Sequence, residues 1–518
     1  MKNILIAIRS IFKKGRHNVM KIVSLGIGLA VGLVLIAKVY FEQSYDDFYP
    51  DRDRVYQVWA KYQQNGGELK DYPQTSGGIA PTMQQQIPEI ETVTRYTSFG
   101  DWTFTMTDTK MKYSGRCIIA DSCFFDILPR PMLIGNAKEV LSTPMYVLIS
   151  SRIAKNIGGD VIGKNFTVDN SPGRTMTIGG VFEEVPENSH SRYDVIVSMA
   201  SAGRFMWEGS PTNMLGNDRY ISYVKLHKGV NPLALEEQVR TFVNSYFPPE
   251  EQQKVGLSID FSFHKLDNLH KELPQVKRMT WILSLLAFAL IFTAVMNYIL
   301  IVISSIVNRS KEVAVHKCYG ASENNIHGMM FGEALVHIVL SLILALLLIL
   351  AFRGTVEELL ATSLDSLLLS NGSLVLLGIC ILVFFVSGFM PGSLYARIPV
   401  ASAFRNYREN KRIWKKALLL VQFVATGFLV TMLVFVARQY TFMVNDRPGY
   451  AYENLAYCGL AGVDSTSRAK ILDEVMRLPG VAAATTVYQL PFEHASGNNI
   501  LLPGETQELF NIADLYWV

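Results

Sequence analysis

The sequence predicts an α-helical multi-pass membrane protein with five membrane-spanning helices, a large mixed α/β domain outside the membrane, and the start of a second such domain. Three observations carry that expectation. Of 518 residues, 49% are hydrophobic and 18% are charged, which leans away from an ordinary soluble chain. Five apolar runs, at 22–40, 279–307, 326–352, 374–394 and 417–437, approach or exceed the roughly 20 residues a helix needs to cross about 30 Å of hydrocarbon. The segment between the first two runs, 41–276, is long enough to enclose a core of its own.

The first run reads as a retained anchor. It passes without an A-x-A-type site into Lys38 and the charged, aromatic stretch EQSYDDFYPDRDR, unlike a cleaved signal peptide. Orientation follows from the basic residues of the short loops, because positive charge resists translocation. Segment 1–21 carries Lys2, Arg9, Lys13, Lys14, Arg16 and Lys21 with no acidic residue, and 395–416 carries Arg397, Arg405, Arg408, Lys411, Arg412, Lys415 and Lys416 against Glu409. Both are therefore expected on the cytoplasmic side. Five crossings then place the mildly basic loop 308–324 inside as well, and 41–276, the loop after Phe352 and 438–518 outside.

The outer segment 41–276 alternates between strand and helix signals. RVYQVWAKY from Arg54, RTMTIGGVF from Arg174 and RYISYVKL from Arg219 are rich in β-branched and aromatic residues and predict strands. GIAPTMQQQIPEI from Gly78 predicts a helix. So does LALEEQVRTFVNSYF from Leu233, whose Leu235, Val239, Phe242, Val243 and Tyr246 share one face and should pack on a sheet.

Several function classes are argued against. A net charge of +3 gives no support for a nucleic-acid partner, which needs a clustered basic face. The five cysteines, Cys117, Cys123, Cys318, Cys380 and Cys458, show no CxxC or Cys/His metal spacing; Cys117 and Cys123 could pair if they lie outside the cytoplasm. GGDVIGKN places Gly158, Gly163 and Lys164 as in a phosphate-binding loop, but Asn165 stands where Ser or Thr would hold Mg²⁺. The following FTVDNSPGR reads as strand and turn, whereas a phosphate loop opens a helix. The chain is thus expected to lack an ATPase of its own, and no cofactor or metal is expected. His190, in PENSHSRYD, reads as part of a solvated polar loop rather than a hydrolytic triad.

Six stretches, in order and with this topology, carry a resemblance: YDDFYPDRDRVYQV at 45–58, FFDILPRPMLIG at 124–135, GGVFEEVPENSHSRYDVIVS at 179–198, NRSKEVAVHKCYGAS at 308–322, PGSLYARIPVASAFRN at 391–406 and KKALLLVQFVATGFLV at 415–430. With these the chain resembles the MacB/FtsX-type ABC transporter permeases, in particular the long Bacteroidetes-type members with two periplasmic core domains. The resemblance implies a MacB-like periplasmic core domain at 41–276 and an FtsX-like three-helix permease domain at 279–394. It also implies a bacterial inner-membrane location with a cytoplasmic N-terminus. The expected function is that of a permease subunit coupling ATP hydrolysis by a separate cytoplasmic ABC ATPase, which would bind the ATP, to periplasmic movement for export. The alternative is an FtsX-like regulator that passes a signal to cell-wall hydrolases or a sensor system. A membrane-anchored enzyme would require a nucleophile or metal constellation that the sequence does not display. Expected partners are that ATPase, a second permease copy or paralogue, the lipid bilayer and, for efflux, a membrane-fusion protein and outer-membrane channel.

In this family the ATPase docks on the loop between the second and third spans. Its R-x-K-E…K-x-x-G-A pattern maps here onto Arg309, Lys311, Glu312, Lys317, Gly320 and Ala321. A short polar helix ended by Gly320 and restarted by Ser322 could transmit a push as a rigid body; a plain basic loop is the alternative. Glu333 and His337, four apart on the third span, share a face and could pair. Glu333 is open to two roles, a structural contact with the coupling loop and a gate. Asn297 and Gln422 are expected to make hydrogen bonds between helices, and Gly28 and Gly32 to permit close packing, internally or with a second subunit.

The chain also compares with itself. The fifth span resembles the first in its basic lead-in and its Gln-Tyr exit (Gln439 and Tyr440 against Gln43 and Tyr45), and VMRLPGVAAAT around Pro479 echoes MQQQIPEIETVT around Pro88. The second copy is expected to be incomplete, so that 438–518 buries its core poorly.

Overall fold

The computed structural model describes residues 17–514 except 65–66, 68, 169–170, 217, 370–371, 397–398, 401–412, 446–453, 461–462, 464, 488–496 and 502–507. The basic stretch 1–16 and most of the one at 395–416 lie outside the described residues. Among the described residues, five helices are long and apolar enough to cross a membrane. They are α1 (Asn18–Gln43), α2 (Pro274–Ser304), α4 (Glu323–Ala351), α5 (Ser373–Ala396) and α6 (Ile413–Asn445), with the short α3 (Ile306–Cys318) between α2 and α4.

The helix ends follow local chemistry. Pro274 occupies the first turn of α2, where its missing N–H costs nothing. Gly320, at φ +85°, supplies the left-handed residue that ends α3. The Ser322 side chain then accepts from the Asn325 N–H to cap α4.

Leu25 and Leu29 of α1, Ile299 and Ile303 of α2, Met330 and Ile338 of α4 and Tyr395 of α5 share one buried cluster. A Cβ built at Gly28 would overlap the Ala294 methyl, and one at Gly32 would overlap Ile291. The two glycines therefore serve contact inside the chain, between α1 and α2. Apolar side chains remain exposed on the outside of the bundle, Trp281 and Leu347 among them. α6 exposes nearly all of its surface, including Phe423, Val424 and Phe435.

The segment between α1 and α2 is a mixed α/β domain. Its strands are β1 (Val55–Gln64), β2 (Lys70–Tyr72), β3 (Ile90–Met106), β4 (Lys112–Ala120), β5 (Met132–Ile134), β6 (Tyr146–Ser150), β7 (Asn165–Val168), β8 (Ser171–Phe182), β9 (Val195–Ser198), β10 (Ile221–Leu226) and β11 (Leu257–Lys265). The main path runs β11-β1-β10-β3-β4-β9-β6-β8-β5, with β4 and β9 parallel. β1 is central to one end, pairing with β10 on one side and β11 on the other. The helix Glu236–Tyr246 buries Val239, Phe242 and Val243 in a cluster with Val58, Val224 and Phe261. The stretch from Gly78 is helical only over Ile79–Gln86. Pro88 disfavours the helical region for its predecessor, Ile87 is extended at φ −114°, and IETVT opens β3 instead. All five cysteines are free thiols, so Cys117 and Cys123 are not paired.

By compactness the chain divides in two. The first unit holds the bundle and most of the α/β domain, 1–100, 116–162 and 178–450. The second comprises 101–115, 163–177 and 451–518. Within the second, Phe104 pairs opposite Val168 and Phe166 opposite Met176, so a strand follows Lys164 where a phosphate loop would need a helix. Its helix Ser465–Met476 buries no residue, and Leu455, Tyr457 and Leu478 are exposed. After Pro479, residues 481–487 are neither helix nor strand, whereas the stretch after Pro88 enters β3.

Candidate functional site

Every titratable side chain packed into an apolar bundle must find a partner, because an isolated charge there is expensive. Two clusters meet that demand, one at each end of the bundle.

At the end remote from the α/β domain lies the joint of α3. Its inner face carries Val313 and Ala314, both essentially inaccessible, and Arg309 at 5% exposure. Arg309 Nη2 lies 2.8 Å from Glu333 Oε2 on α4, and Lys21 Nζ on α1 lies 3.5 Å from Glu333 Oε1. The Arg309 guanidinium also sits over the Tyr395 ring of α5, 5.4 Å from its centroid. The Tyr395 hydroxyl donates to the Val302 carbonyl at 3.0 Å and lies 3.1 Å from Ser305 Oγ. Lys317 donates to the Ala396 carbonyl at 2.7 Å. The short helix is thereby fastened directly to α4 and α5, and through Glu333 and Tyr395 those contacts continue to Lys21 of α1 and to the end of α2.

The residues anticipated on the coupling loop divide between two faces. Arg309 and Lys317 point into the bundle, and Glu312 is half-buried, 3.7 Å from Arg309. Lys311 and Gly320 are exposed, Ala321 is half-buried, and Val315 and Tyr319 add an exposed apolar element, Tyr319 at 88%. Glu333 and His337 lie within electrostatic reach of each other, yet each has a nearer partner on another helix. Glu333 turns to Arg309, whereas His337 Nδ1 lies 3.2 Å from the Tyr298 hydroxyl of α2. An arginine can satisfy a buried carboxylate with a charge-assisted bond, which is the stronger contact for Glu333. Gln422 is buried, and its Nε2 has no hydrogen-bond partner among the described residues. No hydrogen bond of the half-buried Asn297 side chain is seen among the described residues.

The opposite cluster joins the bundle to the α/β domain. Lys38 Nζ lies 2.6 Å from Glu42 Oε1 and donates to Thr362 Oγ1 at 2.9 Å. Glu42 Oε2 meets His270 Nε2 at 2.5 Å, and His270 stacks on Tyr45 with centroids 3.4 Å apart. One turn on, the inaccessible Asp46 accepts from Ser189 Oγ at 3.0 Å and meets His190 Nδ1 at 2.7 Å. His190 also reaches the Tyr223 hydroxyl on β10. Glu187 accepts from the Ser363 N–H at 3.0 Å, tying the same turn to the segment after α4. The polar stretch around His190 is therefore a packed junction, not a solvated loop. Burial pushes the Tyr223 phenol well up, with Tyr96 adding to the effect, so it stays a neutral hydroxyl.

Sequence reasoning missed Lys21, Tyr298 and Tyr395 in the first cluster and Glu42, Asp46 and His270 in the second. Lys21 and Lys38 were visible as cations bracketing an apolar run, and Glu42 lies only four residues beyond Lys38, but Glu333 and Thr362, which they also meet, lie hundreds of residues away. Among the described residues no cluster of His, Cys, Asp or Glu could hold a metal ion.

Residues 20–242 match the family of MacB-like periplasmic core domains, and residues 284–400 match the FtsX-like permease C-terminal family. Together these matches account for roughly two thirds of the chain, in the order that the fold displays. The chain belongs to the MacB/FtsX-type family of ABC transporter permeases. The α/β domain of this permease is accordingly its extracytoplasmic core domain. Membership implies a transmembrane subunit without its own ATPase domain, working with an ATPase partner. No curated protein matches the chain. Among solved structures, a domain of a protein described as a permease from Porphyromonas gingivalis is 33% identical over 42% of this chain and 91% of that one, with a TM-score of 0.39. The extracellular domain of the noncanonic ABC-type transporter YknZ from Gram-positive bacteria is 11% identical, covering 40% of this chain and 98% of that one, with a TM-score of 0.29.

Proposed function

We propose that this permease is a mechanical transmitter in which α3 is the input and the periplasmic core domain the output, driven by ATP hydrolysis on a separate cytoplasmic ATPase and serving export. One observation carries the reading: Arg309 anchors α3 to Glu333 of α4, and Glu333 also meets Lys21 of α1, the helix whose other end enters the core domain. α1 runs unbroken from Lys21 in the first cluster to Glu42 in the second, and α2 returns from Pro274, four residues after His270, to Ser304. A displacement of α3 must therefore either break a buried ion pair or move α4, and with it Lys21 of α1. The exposed face, with Lys311, Val315, Tyr319 and Gly320, is where the ATPase would bear.

The orientation proposed here puts α3 and the N-terminus in the cytoplasm of a bacterial inner membrane. The natural cysteines test it, because Cys318 on α3 and Cys458 after α6 are both exposed. A membrane-impermeant maleimide applied to spheroplasts should modify Cys458 and spare Cys318 until the membrane is opened. Modification of Cys318 in intact spheroplasts overturns the assignment.

Coupling is tested by co-purification with the cognate ABC ATPase. Glu312→Ala and Gly320→Ala should weaken association or stimulation of ATP hydrolysis, and retention of both at full strength in both variants removes α3 from the docking role. A regulator of cell-wall hydrolases would use the same lever. Retention of a membrane-fusion protein and outer-membrane channel in crosslinked membranes separates export from that alternative.

A further inference from the structure

Beside the second cluster lies a cavity of about 400 Å³, inside the range typical of small-ligand sites. Its walls include Tyr45, Trp59, Arg116, His190, Arg192 and His270, closed on one side by Leu269 and Leu273. Two arginines and two histidines line it, and no carboxylate does. Asp46 and Glu42 stand behind the histidines, each already engaged with a ring nitrogen. Arg192 has neutral partners, the Glu187 carbonyl and the Tyr45 hydroxyl. Burial, ahead of the nearby Glu42, raises the Tyr45 pKa, so that phenol remains a protonated donor at neutral pH. Trp59 is held by stacking on His264 at 4.1 Å, yet its buried Nε1 has no hydrogen-bond acceptor. An N–H left without an acceptor costs about 1–3 kcal/mol, so a donor-rich cavity of this kind is incomplete without an acceptor.

We infer that this cavity is a binding site for an anionic phosphate group at the membrane-proximal end of the core domain. Guanidinium, indole N–H and phenol are all donors, which matches an oxyanion with several acceptor oxygens and no protons to give. The cavity lies where α1 leaves and α2 enters the bundle, with Leu273 directly before Pro274. That is the level of lipid headgroups, and the two leucines offer the apolar border an attached chain would need. A lipid headgroup and a free solute can each supply the phosphate, and the chemistry at the arginines is the same for both. Because the walls come from both connections between domain and bundle, an occupant would fasten the two together.

The test uses the full chain in detergent. Native mass spectrometry with phosphatidylglycerol, against diacylglycerol as the phosphate-free lipid, reads lipid binding, and calorimetry with inorganic phosphate reads the free ion. The variants are Arg116→Ala with Arg192→Ala, both at exposed positions; Trp59→Phe, which keeps the stack and removes only the N–H; and Arg240→Ala on the distant helix Glu236–Tyr246 as control. The double variant should lose roughly tenfold in affinity, the equivalent of about 1.4 kcal/mol, and Trp59→Phe a few-fold, with Arg240→Ala unchanged. Retention of phosphatidylglycerol alone assigns the site to headgroups, and binding of phosphate without lipid preference assigns it to a solute. Absence of binding by either probe, or binding insensitive to the double variant and to Trp59→Phe, overturns the inference.

Discussion

The two ends of the bundle solve the same problem with different chemistry. At the α3 joint, Lys21, Arg309 and Glu333 are all within 1–7% side-chain exposure and hold one another directly. At the domain junction, Glu42 and Asp46 are each met by a histidine and Glu42 also by Lys38, while hydroxyl and amide groups from separate segments add further bonds: Thr362 to Lys38, Ser189 to Asp46 and the Ser363 N–H to Glu187. The first arrangement concentrates its strength on a single carboxylate, Glu333, held by two cations. The second spreads it over many modest bonds, which can be exchanged one at a time. A lever needs a stiff input and an output that can re-form its contacts, and the contrast between the clusters fits that division.

The comparison can be broken most directly at Glu333. Glu333→Ala leaves Arg309 buried without its carboxylate and should cost about 3–5 kcal/mol, seen as a large fall in melting temperature of the purified chain. Combining it with Arg309→Met should restore much of the loss, and failure of the double variant to recover would mean that the pair is not the main fastening. Gly28→Leu should cost somewhat less, about 1–3 kcal/mol, by forcing α1 off Ala294.

At the domain junction, His270→Ala removes a bond to a buried carboxylate and a ring stack, and should cost about 2 kcal/mol. A loss as large as that of Glu333→Ala would erase the distinction between the two ends. Gly320→Ala is smaller still. Its added Cβ meets open space but sits at φ +85°, so the cost is roughly 1 kcal/mol of backbone strain. An effect on ATPase stimulation far beyond that would sharpen the case for α3 as the input.

The smallest effect belongs to the surface of the core domain. Bonds from Lys225 and then Arg54 hold Asp51 below its ordinary pKa, and a bond from Arg54 does the same for Glu91. Carboxylates lowered in the folded state stabilise it above their ordinary titration range, and that contribution disappears as pH falls through the lowered values. Lys225→Met should therefore reduce stability near neutral pH, by less than about 1 kcal/mol, with the difference from the parent vanishing in acid melts.

Much of the fold could be read from local pattern. The spans are continuous apolar runs, and β1, β8 and β10 stand on runs of β-branched and aromatic residues at 55–64, 174–182 and 221–226. Where a neighbour overrode local preference, as Pro88 does at Ile87, the boundary moved. The sites were legible only in part. Arg309 and Glu333 could be singled out, but Glu333 was matched with His337, four residues away on the same face, because sequence spacing reveals only neighbours on one helix. Its actual partner comes from another element, as does the Asp46 that makes His190 structural.

By itself the sequence determined that the chain spans a membrane, that a mixed α/β domain is inserted between the first two spans, and that a polar helix with a glycine stop joins the next two. Those properties depend on hydrophobic length, periodicity and capping, which act over a few residues. Only the tertiary structure decided which charge meets which, that Gly28 and Gly32 face α2 of the same chain, and that a cationic cavity lies at the domain junction. Each of these depends on side chains brought together across as many as 324 positions, as from Lys38 to Thr362, and no local pattern encodes such a meeting.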